Sequence, residues 1–471
     1  MNDSKKVAYN TIVQVIARGI TTLLSVVAIS YMLRYLGVEG YGQYTLIFAY
    51  LALAGIFVDF GFFLLQIREI AKYPEREAEI SGNVFGLKLV LCVVVFSLAY
   101  LASLIFYDNS VITTGILIGA FSQGAMALTL VPVSIFQARL QMQKVAVMNV
   151  FGRSLYLGLI LWGVSSDIGL LGLLGAAAFA NIAMWGLHWF WVNQLVRLVP
   201  RWDFKYWWYF IKQALPLGAA LVLSTIYFKI DSIMLGAMQG NYAVGIYGAP
   251  YKIMEVVLSL ASIFMASVFP VLTEALTISK ERAQRIFQKA YEAMHLLAWP
   301  IIFGILAVGT PLMVLIAGEE FEPSGAALKV LIFAVGLSFI GGTFNHTLIA
   351  SGNQRYLTLP YLAATIFNVV ANWFFIPKYS YMGAAATTVA TELLVVMVVL
   401  VLMIRVVGFV PTIKTPLKAL GSAGVMFGVL WYAGIENLFI NIALGGVVYV
   451  ALILLTKAVD RQTIKELIKP S

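Results

Sequence analysis

Charge is what this chain has least of: Asp, Glu, Lys and Arg make up 11% of its 471 residues, against about 25% in a soluble chain. That shortfall excludes a water-soluble enzyme, a disordered protein and a nucleic-acid binder. Cysteine is nearly missing too. Cys92 stands alone, which excludes an intramolecular disulfide and a thiolate zinc cluster. The three histidines, His188, His295 and His346, are scattered and lack ligand spacing, so no metal and no other cofactor is expected. There is no G-x-x-x-x-G-K-[ST] stretch, so the chain is not expected to hydrolyse nucleotides. A cleaved signal peptide is not expected either. Lys5 and Lys6 look like an n-region, but Arg18 interrupts the apolar run and no small-residue cleavage site follows.

What fills the chain instead is apolar: 61% of its residues are hydrophobic, and the mean hydropathy is +0.91. About 20 apolar residues span a bilayer, so this length holds many spans. The apolar runs are long and lack the ten-residue alternation of membrane strands. They predict fourteen helices near 8–33, 44–65, 82–106, 111–137, 145–164, 169–196, 212–235, 243–270, 291–317, 325–350, 357–376, 381–404, 416–433 and 438–456. The expected fold class is an all-α integral membrane protein. Segments 67–80 and 277–292 are charged and partly amphipathic and are expected to form interfacial helices. Segment 201–210, RWDFKYWWYF, fits an aromatic belt at the cytoplasmic interface.

The charges test this count. With residue 1 cytoplasmic, 24 of the 31 Lys and Arg, Lys88 among them, fall in cytoplasmic loops and flanks, whereas the outer loops hold only Arg34 and Lys378. Basic residues mark cytoplasmic loops, so the net charge of +9 calls for no nucleic acid. One missed or invented helix would spoil the asymmetry. A multi-pass chain in the plasma (inner) membrane is expected, with both termini cytoplasmic.

The two halves echo each other. Tyr41-Gly42-Gln43-Tyr44 parallels Val244-Gly245-Ile246-Tyr247 at an offset of 203, and Gly175-Ala176-Ala177-Ala178 parallels Gly383-Ala384-Ala385-Ala386 at 208. Six helices separate the partners, so the repeats share one orientation. Parallel repeats are a transporter architecture with the substrate path between lobes. We therefore expect six-helix lobes over 1–200 and 201–408 around a central hydrophilic cavity, then two further helices and a cytoplasmic tail over 409–471. Gly82-x-x-x-Gly86 and Gly115-x-x-x-Gly119 are expected to mark close helix packing.

Ionisable side chains within spans are costly and face a bundle interior or a wet cavity. Helix 1 carries Asn10, Gln14, Arg18, Thr21 and Ser25 on one face; helix 5 carries Asn149, Arg153 and Tyr156; helices 7 and 8 carry Lys229 and Lys252; helix 11 carries Asn368 and Asn372. The cations Arg18, Arg153, Lys229 and Lys252 suit a pyrophosphate, and the amides suit sugar hydroxyls. The acids Asp59, Asp231, Glu255 and Glu392 suit a coupling Na+ or H+, or ion pairs that reduce the cost of burial. Depth counted from the outer loop predicts an Arg18–Asp59 pair. It also sets Asp231 level with Lys252, and Lys252 and Glu255 are i,i+3 neighbours. With no nucleotide site, energy is expected from an ion gradient, the membrane potential or the substrate's own gradient. His188 and His346 are expected to be packed or hydrogen-bonded rather than proton-relaying.

The stretch 36–46 (LGVEGYGQYTL), then Asp59-Phe60-Gly61-Phe62 and Ile67-Arg68-Glu69-Ile70-Ala71, resembles the opening of the polysaccharide-biosynthesis flippases. These are the O-antigen-type translocases of lipid-linked oligosaccharides. Lys229-Ile230-Asp231-Ser232-Ile233-Met234-Leu235-Gly236 resembles the segment that opens their second lobe. The resemblance runs in helix order along the chain. It implies membership of the superfamily that includes multidrug exporters and the lipid II flippase, with two six-helix lobes, alternating access and often two extra C-terminal helices. It also implies that Arg18 is a basic cavity residue. The helix-2 arginine of the lipid II flippases is replaced by Asp59 in that span, so a surface-polysaccharide repeat unit is expected rather than a peptidoglycan precursor.

The function so implied is to turn a polyprenyl-pyrophosphate-linked oligosaccharide from the cytoplasmic to the outer leaflet. The implied unit is a monomer among membrane lipids, alongside glycan-assembly proteins. A cation-coupled multidrug exporter of the same superfamily is the alternative. A membrane glycan polymerase or ligase is a third reading, but it would carry catalytic groups in a sizeable outer loop, and the outer loops expected here are short.

Overall fold

The computed structural model describes residues 3–458, with side chains for 13–458 apart from 216, 217 and 220. The tail cations Arg461, Lys465 and Lys469 lie outside the described residues, as do the side chains of Lys5, Lys6 and Asn10. Among the described residues every regular element is helical. Helices satisfy all backbone groups within one segment, which hydrocarbon demands.

The chain divides into two compact units, Met1–Gly245 and Ile246–Ser471. The first holds α1 (Asp3–Asp59), α2 (Phe62–Lys72), α3 (Glu77–Phe106), α4 (Ser110–Ala138), α5 (Met142–Ser165), α6 (Gly169–Asn193) and the start of α7 (Phe204–Ile278). The second holds the rest of α7, then α8 (Lys280–Ala317), α9 (Glu322–Ala350), α10 (Thr358–Val406), α11 (Lys414–Ala433) and α12 (Leu438–Leu455).

Ten stretches of the described residues are long and apolar enough to cross a bilayer. Three of them run to 60, 58 and 53 residues, more than twice the roughly 20 that one crossing takes. Each of the three contains a sharp break, at Gly37 (φ 64°, ψ −176°), Gly240 (φ 81°, ψ −180°) or Ser380 (φ 50°, ψ −134°). Positive φ costs a side chain about 1–2 kcal/mol and spares glycine, so two of the three positions are glycine. The breaks fall inside the expected outer loops 34–43, 236–242 and 377–380. Extended loops do not form there, because a single residue redirects the chain. Gly37 and Gly240 stand 203 residues apart, the offset of the Tyr44–Tyr247 echo.

Neither expected interfacial segment keeps its bounds: 67–80 divides between the end of α2 at Lys72, a turn at Pro74–Arg76 and the start of α3 at Glu77. After Phe60 (φ 42°) and Gly61 (φ 82°), α2 buries Phe62, Leu65, Gln66, Glu69 and Ile70 and leaves Arg68 and Lys72 exposed, the one-sided pattern of an amphipathic helix. Segment 277–292 is no separate helix. Ser279 caps the next one at once, its Oγ accepting from the Arg282 N–H at 3.1 Å, and α8 runs on for 38 residues.

The first unit is built on Phe62, Ile70, Val84, Phe85, Ile135, Phe136, Val192, Trp207 and Phe210, all buried. Gly119 lets α4 close on α1, since a Cβ there would lie 2.6 Å from Leu51 Cδ1. The Gly82–Gly86 pair serves another purpose than the expected helix packing. It seats the connecting segment: a Cβ on Gly82 would lie 2.6 Å from the Val199 carbonyl oxygen, and one on Gly86 would overlap that of Arg201. The Arg201 N–H donates to the Gly82 carbonyl at 2.9 Å, and the Asp203 N–H to Asn83 Oδ1 at 3.2 Å. Asp203 Oδ1 in turn accepts from the Lys205 and Tyr206 N–H groups and caps α7.

In the second unit, Leu272, Phe287, Phe344, Leu348, Val399, Met403 and Phe409 form one core. A second core of Ala419, Ala423, Met426, Leu430 and Tyr449 docks α11 and α12 against Leu296, Trp299 and Phe303 of α8. The Tyr449 hydroxyl donates to the Leu296 carbonyl at 2.9 Å.

Candidate functional site

The deepest charge in the first unit belongs to a residue the sequence places at a helix flank. Lys88 stands 11 residues inside α3 with no exposed side-chain surface, and its Nζ donates to Asp59 Oδ1 at 2.5 Å. A second donor contact reaches the Ala127 carbonyl at 3.3 Å. Asp59 is the last residue of α1 before the Phe60–Gly61 break, and its side chain keeps 22% exposure. The expected Arg18–Asp59 pair is thereby replaced by Lys88–Asp59. With the turn at Gly37, Arg18 lies 19 residues before it and Asp59 22 after, similar depths at about 1.5 Å per residue, yet the side chain opposite Asp59 is Lys88 of α3.

Arg18 is exposed on α1. The hydroxyls of its stripe turn inward to the helix: Thr21 Oγ1 donates to the Arg18 carbonyl at 3.0 Å and Ser25 Oγ to that of Thr21 at 2.7 Å. Arg153 is exposed on α5, its guanidinium 5.8 Å from the Tyr156 ring centre, with half-buried Asn149 one turn away. The Tyr156 hydroxyl sits 3.2 Å from Met32 Sδ, which ties α5 to α1. Gln14 and Lys229 are half-buried, and Asp231 is buried.

In the second unit Lys252 is exposed and pairs with Glu255 at 2.6 Å, the i,i+3 contact expected. Asn368 and Asn372 are buried one turn apart on α10. Asn372 Nδ2 donates to Asn368 Oδ1 at 3.1 Å, and Asn368 Nδ2 to Thr391 Oγ1 at 3.4 Å. Beside Thr391, buried Glu392 accepts from Ser338 Oγ at 2.9 Å. The Asn372–Asn368–Thr391 chain lies within α10, and the Ser338–Glu392 bond ties α10 to α9. Cations and buried acids occupy different surroundings: Arg18, Arg153 and Lys252 are exposed, whereas Asp59, Asp231 and Glu392 are largely enclosed.

The packing or hydrogen bonding expected of His188 and His346 is present, and His295 shares their arrangement. In His188, His295 and His346 alike, Nδ1 lies 2.7–2.9 Å from the carbonyl one turn earlier. Two apolar grooves flank α3. One, of about 1170 Å³, is lined by Leu53, Phe57, Leu98, Ala102 and Ile233 and edged by Tyr107 and Asp108. The other, of about 650 Å³, is lined by Cys92, Phe96, Phe121 and Trp185. Burial, and Tyr50 beside it, push the Tyr107 phenol up to about 12.

Residues 7–276 match the model of a family described as Polysaccharide biosynthesis protein. The chain belongs to that family. The family resemblance read from 36–46 and 59–71 is borne out. A putative O-antigen transporter of Escherichia coli K12 is 22% identical to this chain over 413 residues, covering 84% of this chain and 96% of that one. A probable low-salt glycan biosynthesis flippase, Agl15 of Haloferax volcanii, is 23% identical over 478 residues, covering 95% of each. Among solved structures, the fold is shared with the lipid II flippase MurJ in its inward closed conformation, with a TM-score of 0.81 at 15% identity over 97% of this chain and 100% of that one. The all-α membrane-transporter fold expected from the sequence is therefore the one present.

Proposed function

We propose that this chain is a flippase for a lipid-linked oligosaccharide. It is a multi-pass membrane transporter and not an enzyme. The observation that carries the reading is the family match together with similarity, along 84% and 95% of the chain, to proteins named for O-antigen transport and glycan flipping. The finer reading is that the substrate is a polyprenyl-pyrophosphate-linked repeat unit, moved from the cytoplasmic to the outer leaflet by alternating access. Exposed Arg18, Arg153 and Lys252 and half-buried Lys229 then attract the pyrophosphate, and half-buried Gln14 and Asn149 serve the sugar, while Asn368 and Asn372, buried in this structure, reach it only where α10 opens. Asp59, Asp231, Glu255 and Glu392 answer to a coupling H+ or Na+ or to the membrane potential, where one charge is worth about 2.3 kcal/mol per 100 mV. The bias of Lys and Arg supports cytoplasmic termini, in the inner membrane of a cell that builds such glycans. If each break is a turn, and α11 is added, the helices supply the fourteen crossings expected. Lobes over 1–200 and 201–408, and a monomeric unit among membrane lipids and glycan-assembly proteins, complete the reading.

The test is reconstitution. Proteoliposomes carrying a polyprenyl-pyrophosphate-linked oligosaccharide should expose the inner-leaflet glycan to an external lectin faster than protein-free vesicles do. No acceleration, combined with uptake of a cationic dye against an imposed ion gradient, would replace this reading with the drug exporter.

A further inference from the structure

Four residues at the breaks of α1 and α7 meet in two pairs. The place a Cβ on Gly42 would take is filled by the Asn241 backbone, whose carbonyl oxygen overlaps it and whose carbonyl carbon lies 2.7 Å away. A Cβ on Gly245 would overlap the Val38 carbonyl oxygen and lie 2.9 Å from the Val38 carbonyl carbon. Gly42 and Gly245 are 203 residues apart, and so are Val38 and Asn241. One contact is therefore made twice: each copy of the repeated segment seats its glycine on the other copy's carbonyl. Such reciprocity, with i on j and j on i, is the mark of a two-fold relation. The break residues Gly37 and Gly240 obey the same offset, and their backbone angles agree (φ 64° and 81°, ψ −176° and −180°). The repeat glimpsed through Tyr44 and Tyr247 thus extends to backbone conformation and to contact. All four residues belong to the Met1–Gly245 unit.

The joint is tight in fit and weak in chemistry. Gly42, Gly245 and Val38 are buried, and what touches is mostly backbone on backbone, a setting for weak Cα–H···O contacts, with Val38 Cγ1 also 3.0 Å from the Cβ position of Gly245. One methyl group on either glycine prevents its closing. Not every echoed glycine behaves so: a Cβ on Gly175 would meet nothing within 4 Å. By the charge asymmetry, the breaks at Gly37 and Gly240 lie on the outer face.

We propose that the Gly42–Asn241 and Gly245–Val38 contacts are a paired closure of the outer face, shut in this structure and opened when the transported headgroup leaves outward. The proposal rests on the transport reading for the direction of passage alone, so its test uses no glycan. A reporter Val38→Cys is placed in a Cys92→Ser chain and exposed to a membrane-impermeant maleimide on intact cells. Labelling should be slow with both glycines present and about tenfold faster in Gly42→Ala and in Gly245→Ala, a methyl-sized overpacking effect. Gly175→Ala should leave it slow. Unchanged labelling in both variants, or a response in one alone, overturns the proposal, since two equivalent contacts must fail alike.

If the alanine variants do not reach the membrane, the chain with native glycines decides. Glu39 and Tyr242 obey the same offset and are both exposed. Spin labels on Glu39→Cys and Tyr242→Cys, again with Cys92→Ser, should give a short and a longer distance. A single narrow distance overturns the closure. Loss of flipping with this behaviour intact would count against the transport reading and leave the closure standing.

Discussion

Lys88 reaches Asp59 across 2.5 Å from a side chain with no exposed surface, so the chain holds an ion pair where the last turn of α1 gives way to the Phe60–Gly61 break. Removing one partner of a buried pair is far more damaging than removing both, because the remaining charge is stranded. Asp59→Asn and Lys88→Met should each destabilise the protein by about 3–5 kcal/mol, and the double variant should be more stable than either. Thermal unfolding in detergent reads this directly. Equal or additive losses in the double variant would show that the pair is not coupled.

Arg18 and Arg153 invite the opposite experiment. Both are exposed, so replacing either with Gln should leave folded yield and melting temperature near those of the parent. Glycan flipping in proteoliposomes should fall by about tenfold, the equivalent of roughly 1.4 kcal/mol of lost attraction for the pyrophosphate. Full activity in both variants removes them from the substrate path.

Glu392 accepts a hydrogen bond from Ser338 at 2.9 Å and is buried. Glu392→Gln keeps the shape and drops the charge. If this acid answers to the coupling ion, the variant should flip glycan at a rate that no longer responds to an imposed proton or sodium gradient, while the parent responds several-fold. A variant that still follows the gradient transfers the role to another acid.

Gly86 stands against the Arg201 carbonyl. Gly86→Ala should force the 199–203 segment off α3 and cost at least the ~1–3 kcal/mol typical of overpacking. Gly124→Ala serves as control, since its Cβ would find Phe96 no nearer than 3.8 Å. A melting temperature that drops for both alike would contradict the seating of the segment.

Tyr449 holds α12 to α8 through the Leu296 carbonyl. Tyr449→Phe should lower stability by about 1 kcal/mol, the net worth of one hydrogen bond, without touching transport. A large loss of flipping would give α12 a part in function that its contacts do not suggest.

Helix positions and family were legible because apolar runs and short motifs are local. Contacts between helices were less so. Lys88 read as a flank residue because the apolar run begins near residue 82, whereas α3 begins at Glu77 and carries Lys88 three turns deep. The Arg18–Asp59 pairing failed for the same kind of reason: depth along an axis does not say which helix lies opposite. Gly82-x-x-x-Gly86 announces close approach correctly, yet small residues cannot name their neighbour, and here it is a strand of connecting backbone. By contrast, the Lys252–Glu255 contact sits within one helix, where spacing alone decides, and it forms as expected.

The joint before α7 is pinned rather than slack. Because the Arg201 N–H is held by the Gly82 carbonyl and the Asp203 N–H by Asn83 Oδ1, and Trp207 and Phe210 are packed into the same core, any swing of α7 must pivot beyond Phe210. Lengthening this connection ahead of residue 199 should therefore be harmless, whereas slack inserted after Phe210 would uncouple the lever from its fulcrum.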